Sequence, residues 1–147
     1  MHIHRNDLLV LVNGSRVIFF ENTGDDNHLS LDMVYSLTCK SKRSIDLGRG
    51  PAGRVENSAI HGHASFEQTN LHDKAEENFI KTANLAINTY MKNPQYQHLI
   101  LFAEPSTLGY LRNIMSPEIS SKVIKEVAKD YTKLPIVDLE KLIDAIH

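Results

Sequence analysis

Residues 40–57, KSKRSIDLGRGPAGRVEN, carry the strongest chemical signal in this sequence. Lys40, Lys42, Arg43, Arg49 and Arg54 share the stretch with Gly48, Gly50, Pro51 and Gly53, against only Asp46 and Glu56. Arginine, lysine and glycine in this mixture suit contacts to phosphate, which hold a backbone in place without reading bases. Lys40, Lys42, Arg43, Arg49, Gly50 and Arg54 are therefore the expected ligand- or RNA-binding residues. The plainer reading is a solvated charge run, or a loop that docks an acidic protein partner. The Gly-x4-Gly-Lys-[Ser/Thr] phosphate loop is absent, and Phe66 is the only aromatic residue between 40 and 68, so no base-stacking platform adjoins the cluster.

Other groups offer less. His61-Gly62-His63, with His72 or Glu67, could hold a metal if an extended backbone turned both imidazoles the same way. Structural zinc sites want four ligands and usually cysteine, however, and Cys39 is the sole cysteine. Exposed loop histidines are the simpler reading, and no metal or cofactor is expected. A metal-dependent nuclease would need clustered carboxylates. Asp32, Glu104 and Asp130 are the acids nearest to predicted strands, and nothing in the sequence makes them converge. Glu104, at the carboxyl end of a buried strand, also suits the positive end of the helix that follows it. Lys129-Asp130 reads as a local ion pair or cap. Ser15, Ser58, Ser106 and Cys39 lack the glycines of a nucleophile elbow.

The elements that must position these residues can be read from periodicity. LLVLV, Asn13-Gly14 and SRVIFF form two β-rich runs around a predicted two-residue turn with left-handed backbone at both positions. Leu29, Leu31, Met33, Tyr35 and Leu37 alternate with Ser30, Asp32, Ser36 and Thr38, which predicts a third strand with one buried face. A long loop, about 40–68, follows; its composition predicts an exposed segment, since it cannot bury enough apolar area to order itself. A helix is expected from Thr69 or Asn70 to Asn93-Pro94, with Asp73, Glu76 and Glu77 near its positive end and a core stripe of Leu71, Ala75, Phe79, Ala83, Ile87 and Tyr90. HLILFA, 98–103, reads as a strand buried on both faces. Pro105 opens a helix carrying Leu108, Leu111, Ile114 and Met115 inward, with Arg112 on its surface. Ser116-Pro117 caps another, carrying Ile119, Val123, Ile124 and Val127. A short extended piece near 128–132 precedes a last helix from about Pro135, bearing Leu139, Leu142, Ile143 and Ile146. This order describes one α/β domain over 1–147, with a mixed sheet and helices packed on it.

Bulk properties narrow the function classes. The formal charge is −2 over 147 residues, so any attraction to nucleic acid must be local. One cysteine excludes an internal disulfide framework and fits a reducing compartment. Leu8–Val12, the longest early apolar run, is too short for a signal peptide or a spanning helix, so the cytoplasm and no membrane insertion are expected.

The C-terminal half resembles the bacterial host-attachment family, whose members are named as proteins required for attachment to host cells. Ala103-Glu104-Pro105, Leu108-Gly109-Tyr110-Leu111-Arg112 and Lys129-Asp130-Tyr131-Thr132 with Pro135 occupy the places of that family's motifs. LVNGSRVIFF is similar to its opening hairpin and GPAGRVEN to its arginine-glycine loop, so the resemblance spans about 8–146. The family is similar in turn to the middle domain of eukaryotic and archaeal peptide-chain release factors, which implies a ribonuclease-H-like α/β fold. In those factors the loop before the long helix bears a Gly-Gly-Gln tripeptide that promotes peptidyl-tRNA hydrolysis. Here that loop holds Gly48-Arg49-Gly50-Pro51 and no glutamine from 40 to 67, and Gln68 has no glycine pair beside it.

The sequence as a whole therefore predicts a non-catalytic binding module that engages RNA, the ribosome or a protein partner through its basic loop. The alternatives are a metal-assisted or ester hydrolase using the 61–72 region, and a factor acting indirectly in attachment to host cells. A homo-oligomer stays open.

Overall fold

The computed structural model describes residues 3–25, 27–39 and 61–146, with side chains from Lys74 onward in the first helix. The runs rich in aliphatic and β-branched residues form strands β1 (Leu8–Val12), β2 (Arg16–Asn22), β3 (Leu31–Thr38), β4 (Leu99–Phe102) and β5 (Val123–Val127). Helices α1 (His61–Met91), α2 (Pro105–Ile114), α3 (Pro117–Ser120) and α4 (Ile136–Ala145) are found with them among the described residues. The strands make one mixed sheet in the order β3-β2-β1-β4-β5. The first three are an antiparallel meander, and β1, β4 and β5 run parallel. Among the described residues no helix is long and apolar enough to cross a membrane.

Both faces of the central strands are buried, which is why β1 and β4 read as continuous apolar runs rather than alternating ones. Leu8, Val10, Val12, Phe19, Leu99 and Leu101 pack on one face beneath Phe79, Ala83 and Ile87 of α1 and Leu108 and Leu111 of α2. Leu9, Leu11, Ile18, Phe20, Ile100 and Phe102 pack on the other, beneath Leu139 and Ile143 of α4. Each buried side chain of this size contributes roughly 1.5–3 kcal/mol. The two apolar layers therefore outweigh any single polar contact in holding the fold.

Four local expectations are corrected. The hairpin turn is centred on Gly14-Ser15, one residue later than predicted: Asn13 N–H donates to the Arg16 carbonyl at 2.9 Å, and neither turn residue has left-handed backbone. The Asn13 side chain explains the shift, because its Oδ1 accepts from the N–H groups of Ser15 and Arg16, both at 2.8 Å. Strand β3 does not keep one buried face. A bulge skips Val34, pairing Phe19 with Tyr35 and Phe20 with Met33. Leu31 thus packs on the α4 side, and Tyr35 and Leu37 on the α1 side. The Val34 carbonyl, left out of the ladder, accepts the Tyr90 hydroxyl at 3.1 Å.

Helix α1 begins at His61, not at Thr69 or Asn70. Ala64, Glu67 and Gln68 are good helix formers, and their propensity extends the helix back into the stretch assigned to the loop. Asp73, Glu76 and Glu77 consequently lie inside it rather than near its positive end. The helix expected to carry Ile119, Val123, Ile124 and Val127 stops at Ser120. Ser120-Ser121 propagates a helix poorly, and the β-branched VIKEV becomes edge strand β5, so the extended piece lies at 123–127 instead of 128–132. Arg112 is on the α2 surface as expected, and it pairs with Glu126 of β5.

Candidate functional site

The parallel strands end along one edge of the sheet, and the residue types singled out in the sequence gather there. Asn13 follows β1, Glu104 follows β4 and Asp130 follows β5. With Glu76 of α1, Thr107 of α2 and Lys133, they line a cleft of about 310 Å³. Ligands of open α/β sheets bind at this edge.

Asn13 organises the cleft. Its Nδ2 donates to Asp130 Oδ2 at 3.1 Å and to Thr132 Oγ1 at 3.0 Å. Asp130 Oδ1 accepts from the Thr132 N–H at 2.9 Å and the Thr132 hydroxyl at 2.7 Å. Arg16 Nη1 donates to the Thr132 carbonyl at 3.3 Å. Burial works to raise the Asp130 carboxyl. The hydrogen bonds from Thr132 and Asn13, with the charge of Lys133, outweigh it and hold Asp130 below the ordinary carboxylate range. Asp130 is thus a structural acceptor that closes its own turn with Thr132.

Glu104 is exposed and occupies the N-cap position of α2, with Pro105 next and no capping bond from its side chain. Its carbonyl accepts the Leu108 N–H at 2.9 Å. Glu76 reaches the hairpin turn: a Cβ on Gly14 would come within 2.8 Å of its carboxylate. Sequence periodicity could not foresee this contact, because it joins a turn to a helix far along the chain. Of the three strand-associated acids, Glu104 and Asp130 converge here, whereas Asp32 pairs with Glu21 at the β2–β3 ladder. Among the described residues no three His, Cys, Asp or Glu side chains are grouped so as to hold a metal ion.

The predicted binding residues Lys40, Lys42, Arg43, Arg49, Gly50 and Arg54 lie outside the described residues. The chain on either side of them is clear. Cys39, the last residue before them, lines the cleft, and its N–H donates to the Ser15 carbonyl at 2.7 Å. His61 and His63 are both in the helical backbone of α1, so the extended segment required by the His-x-His metal reading is not formed. Neighbours on a helix are three or four residues apart, not two.

No curated protein matches this chain. The bacterial archaeo-eukaryotic release factor family 12 matches residues 6–143, from the turn before β1 into α4, and the chain therefore belongs to that family.

Proposed function

We propose that this protein is a non-catalytic, translation-related module that binds RNA, as free RNA or within the ribosome, through the basic segment containing Lys40, Lys42, Arg43, Arg49, Gly50 and Arg54. One observation carries the reading: the chain enters that segment from Cys39, at the lip of the carboxyl-edge cleft, in a member of a release-factor family. Five cations over 40–54 supply a local positive charge that the chain, at −2 overall, has nowhere else in comparable density. Phosphate contacts of this kind position a polynucleotide without base specificity. Because the Gly-Gly-Gln tripeptide is missing, the module occupies its target rather than hydrolysing it. The protein works in the cytoplasm, and a role in attachment to host cells, suggested by the resemblance to the host-attachment family, follows indirectly from its action on translation.

Affinity capture from the native cells, with and without RNase, tests this directly. RNase-sensitive recovery of ribosomal RNA supports the proposal. An RNase-resistant protein partner captured through the same segment would replace it. With purified components, RNA affinity should fall steeply with salt, since every neutralised phosphate releases counterions. Salt-independent binding would count against it.

A further inference from the structure

We infer that a second anion site, suited to a phosphate group, lies at the opposite edge of the sheet, where His98, Arg5 and His4 surround a cleft. The site is built from a tight turn that precedes β1. Asp7 N–H donates to the His4 carbonyl at 3.2 Å, and Asn6, third in the turn, has φ of 74°. Asparagine is among the few side chains that accept this left-handed backbone. The turn leaves Arg5 exposed at its corner and buries the Asp7 side chain, which is 3% exposed.

That buried carboxylate is fully engaged. Its Oδ2 accepts the His4 N–H at 2.9 Å, and its Oδ1 lies 3.3 Å from His98 Nδ1. The contact fixes the imidazole ring and leaves Nε2 as the nitrogen open to a ligand. The His98 side chain is 44% exposed, so a ligand can reach it. The cleft, about 250 Å³, is lined by His4, Arg5, Asn6, Gln95, Gln97 and His98 around Asp7.

Charge and donor chemistry select the ligand class. Asp7 is the only carboxylate in the lining, and its oxygens are turned to the His4 N–H and to His98 Nδ1. The nearby Glu21 directs its Oε2 to the Tyr96 hydroxyl at 2.8 Å and to Gln95 Nε2 at 3.3 Å. Arg5 would repel a metal cation, and a neutral ligand would leave its charge unused. Gln95 Nε2 is taken by Glu21 and by Asn6 Oδ1 at 3.4 Å, so a tetrahedral oxyanion uses Arg5, the Gln97 amide and protonated His98 together. Protonated His98 donates from both nitrogens, one to Asp7 and one to the anion. The groups facing it are Asp7, His4, Arg5 and, through Gln95, Glu21. Binding should therefore strengthen on acidification, as the ring gains its second proton.

The test uses the full chain carrying Lys40→Ala/Lys42→Ala/Arg43→Ala/Arg49→Ala/Arg54→Ala, so that the basic segment cannot supply the signal. Tripolyphosphate and a single-stranded RNA decamer are titrated by calorimetry and by imidazole NMR at pH 6 and pH 8. Expected are saturable tripolyphosphate binding at pH 6 that shifts the His98 resonances, and at least tenfold weaker binding at pH 8. Arg5→Ala/His98→Gln should lose the binding while remaining folded by circular dichroism, and Arg5→Lys should retain part of it. Tripolyphosphate binding alone assigns a free phosphate ligand; RNA binding lost in the same double variant assigns a polynucleotide backbone. Binding of neither probe, or binding indifferent to Arg5→Ala/His98→Gln, overturns the site.

Discussion

Asn13 and Asp130, one at the first hairpin and the other after the last strand, meet side chain to side chain at 3.1 Å. The bond ties the start of the sheet to the segment that leads into α4. It also engages one of the three acids, Asp32, Glu104 and Asp130, weighed for a metal-dependent nuclease. The carboxyl edge is thereby rigid at Asn13 and Asp130, while Glu104 and Lys133 remain exposed above it.

Removing either partner should destabilise the protein. Asn13→Ala or Asp130→Ala leaves polar atoms of the other, and of Thr132, without their partner, at a cost of about 1–3 kcal/mol each. The double variant should lose less than the two single losses combined, because they share one network. Urea unfolding of the three variants measures this; strict additivity would show that the residues act independently.

Acid should reveal the same network. The Asp130 carboxyl titrates lower folded than unfolded, so its stabilising contribution is present above the unfolded value and is lost as pH falls through the folded one. Asp130→Asn should remove that part of the acid dependence. Melting curves between pH 6 and pH 2 for both proteins check it.

Alkali acts through Tyr96. Burial, then the hydrogen bond to Glu21, pushes its phenol up to about 12 from an ordinary 10.0. The folded state therefore keeps its proton where the unfolded chain has lost it, and stability should decline between pH 10 and 12. Tyr96→Phe should flatten that decline and cost about 1 kcal/mol at neutral pH through the lost bond. Alkaline melting curves of the two proteins decide it.

Gly14 needs its missing side chain. Gly14→Ala places a Cβ 2.8 Å from Glu76, so the glutamate must move, with an expected loss of about 1 kcal/mol. In a Glu76→Ala background the same change should be nearly neutral. An equal loss in both backgrounds would place the cost in the turn's backbone instead.

Peptidyl-tRNA and ester hydrolysis should stay at background in the purified protein, since 40–67 has no glutamine to position a water. Turnover that disappears on Gln68→Ala would bring the hydrolase reading forward.

Elements with a strong period were legible in the sequence, and elements set by long-range contacts were not. The hairpin expected over 8–20 and the strand expected over 98–103 followed from apolar runs and are found as β1, β2 and β4, and Asn93-Pro94 marked the end of α1 correctly. Strand β5 was hidden because VIKEV fits a helical stripe as well as an edge strand, and only its pairing with β4 decides between them. The bulge at Val34 was invisible for a similar reason: a skipped residue alters which face is buried without altering composition. At the cleft, residue types pointed to Glu104 and Asp130, but the role of Asn13 as the organiser depends on partners more than a hundred residues away. The Asp7–His98 pair has the same character and carried no motif.

The parallel pairing of β1 with β4, Leu8 against Leu99, imposes an order of assembly. Strands β1 to β3 can zip together as soon as they are synthesised, but β1 keeps an open, wholly apolar edge until residues past 99 arrive. Closing that distance comes late, because loop closure must be met before the pairing rewards it. Nascent chains that stall between α1 and β4 therefore present a sticky sheet margin, and α1, already able to shelter one side of it, cannot cover the edge itself.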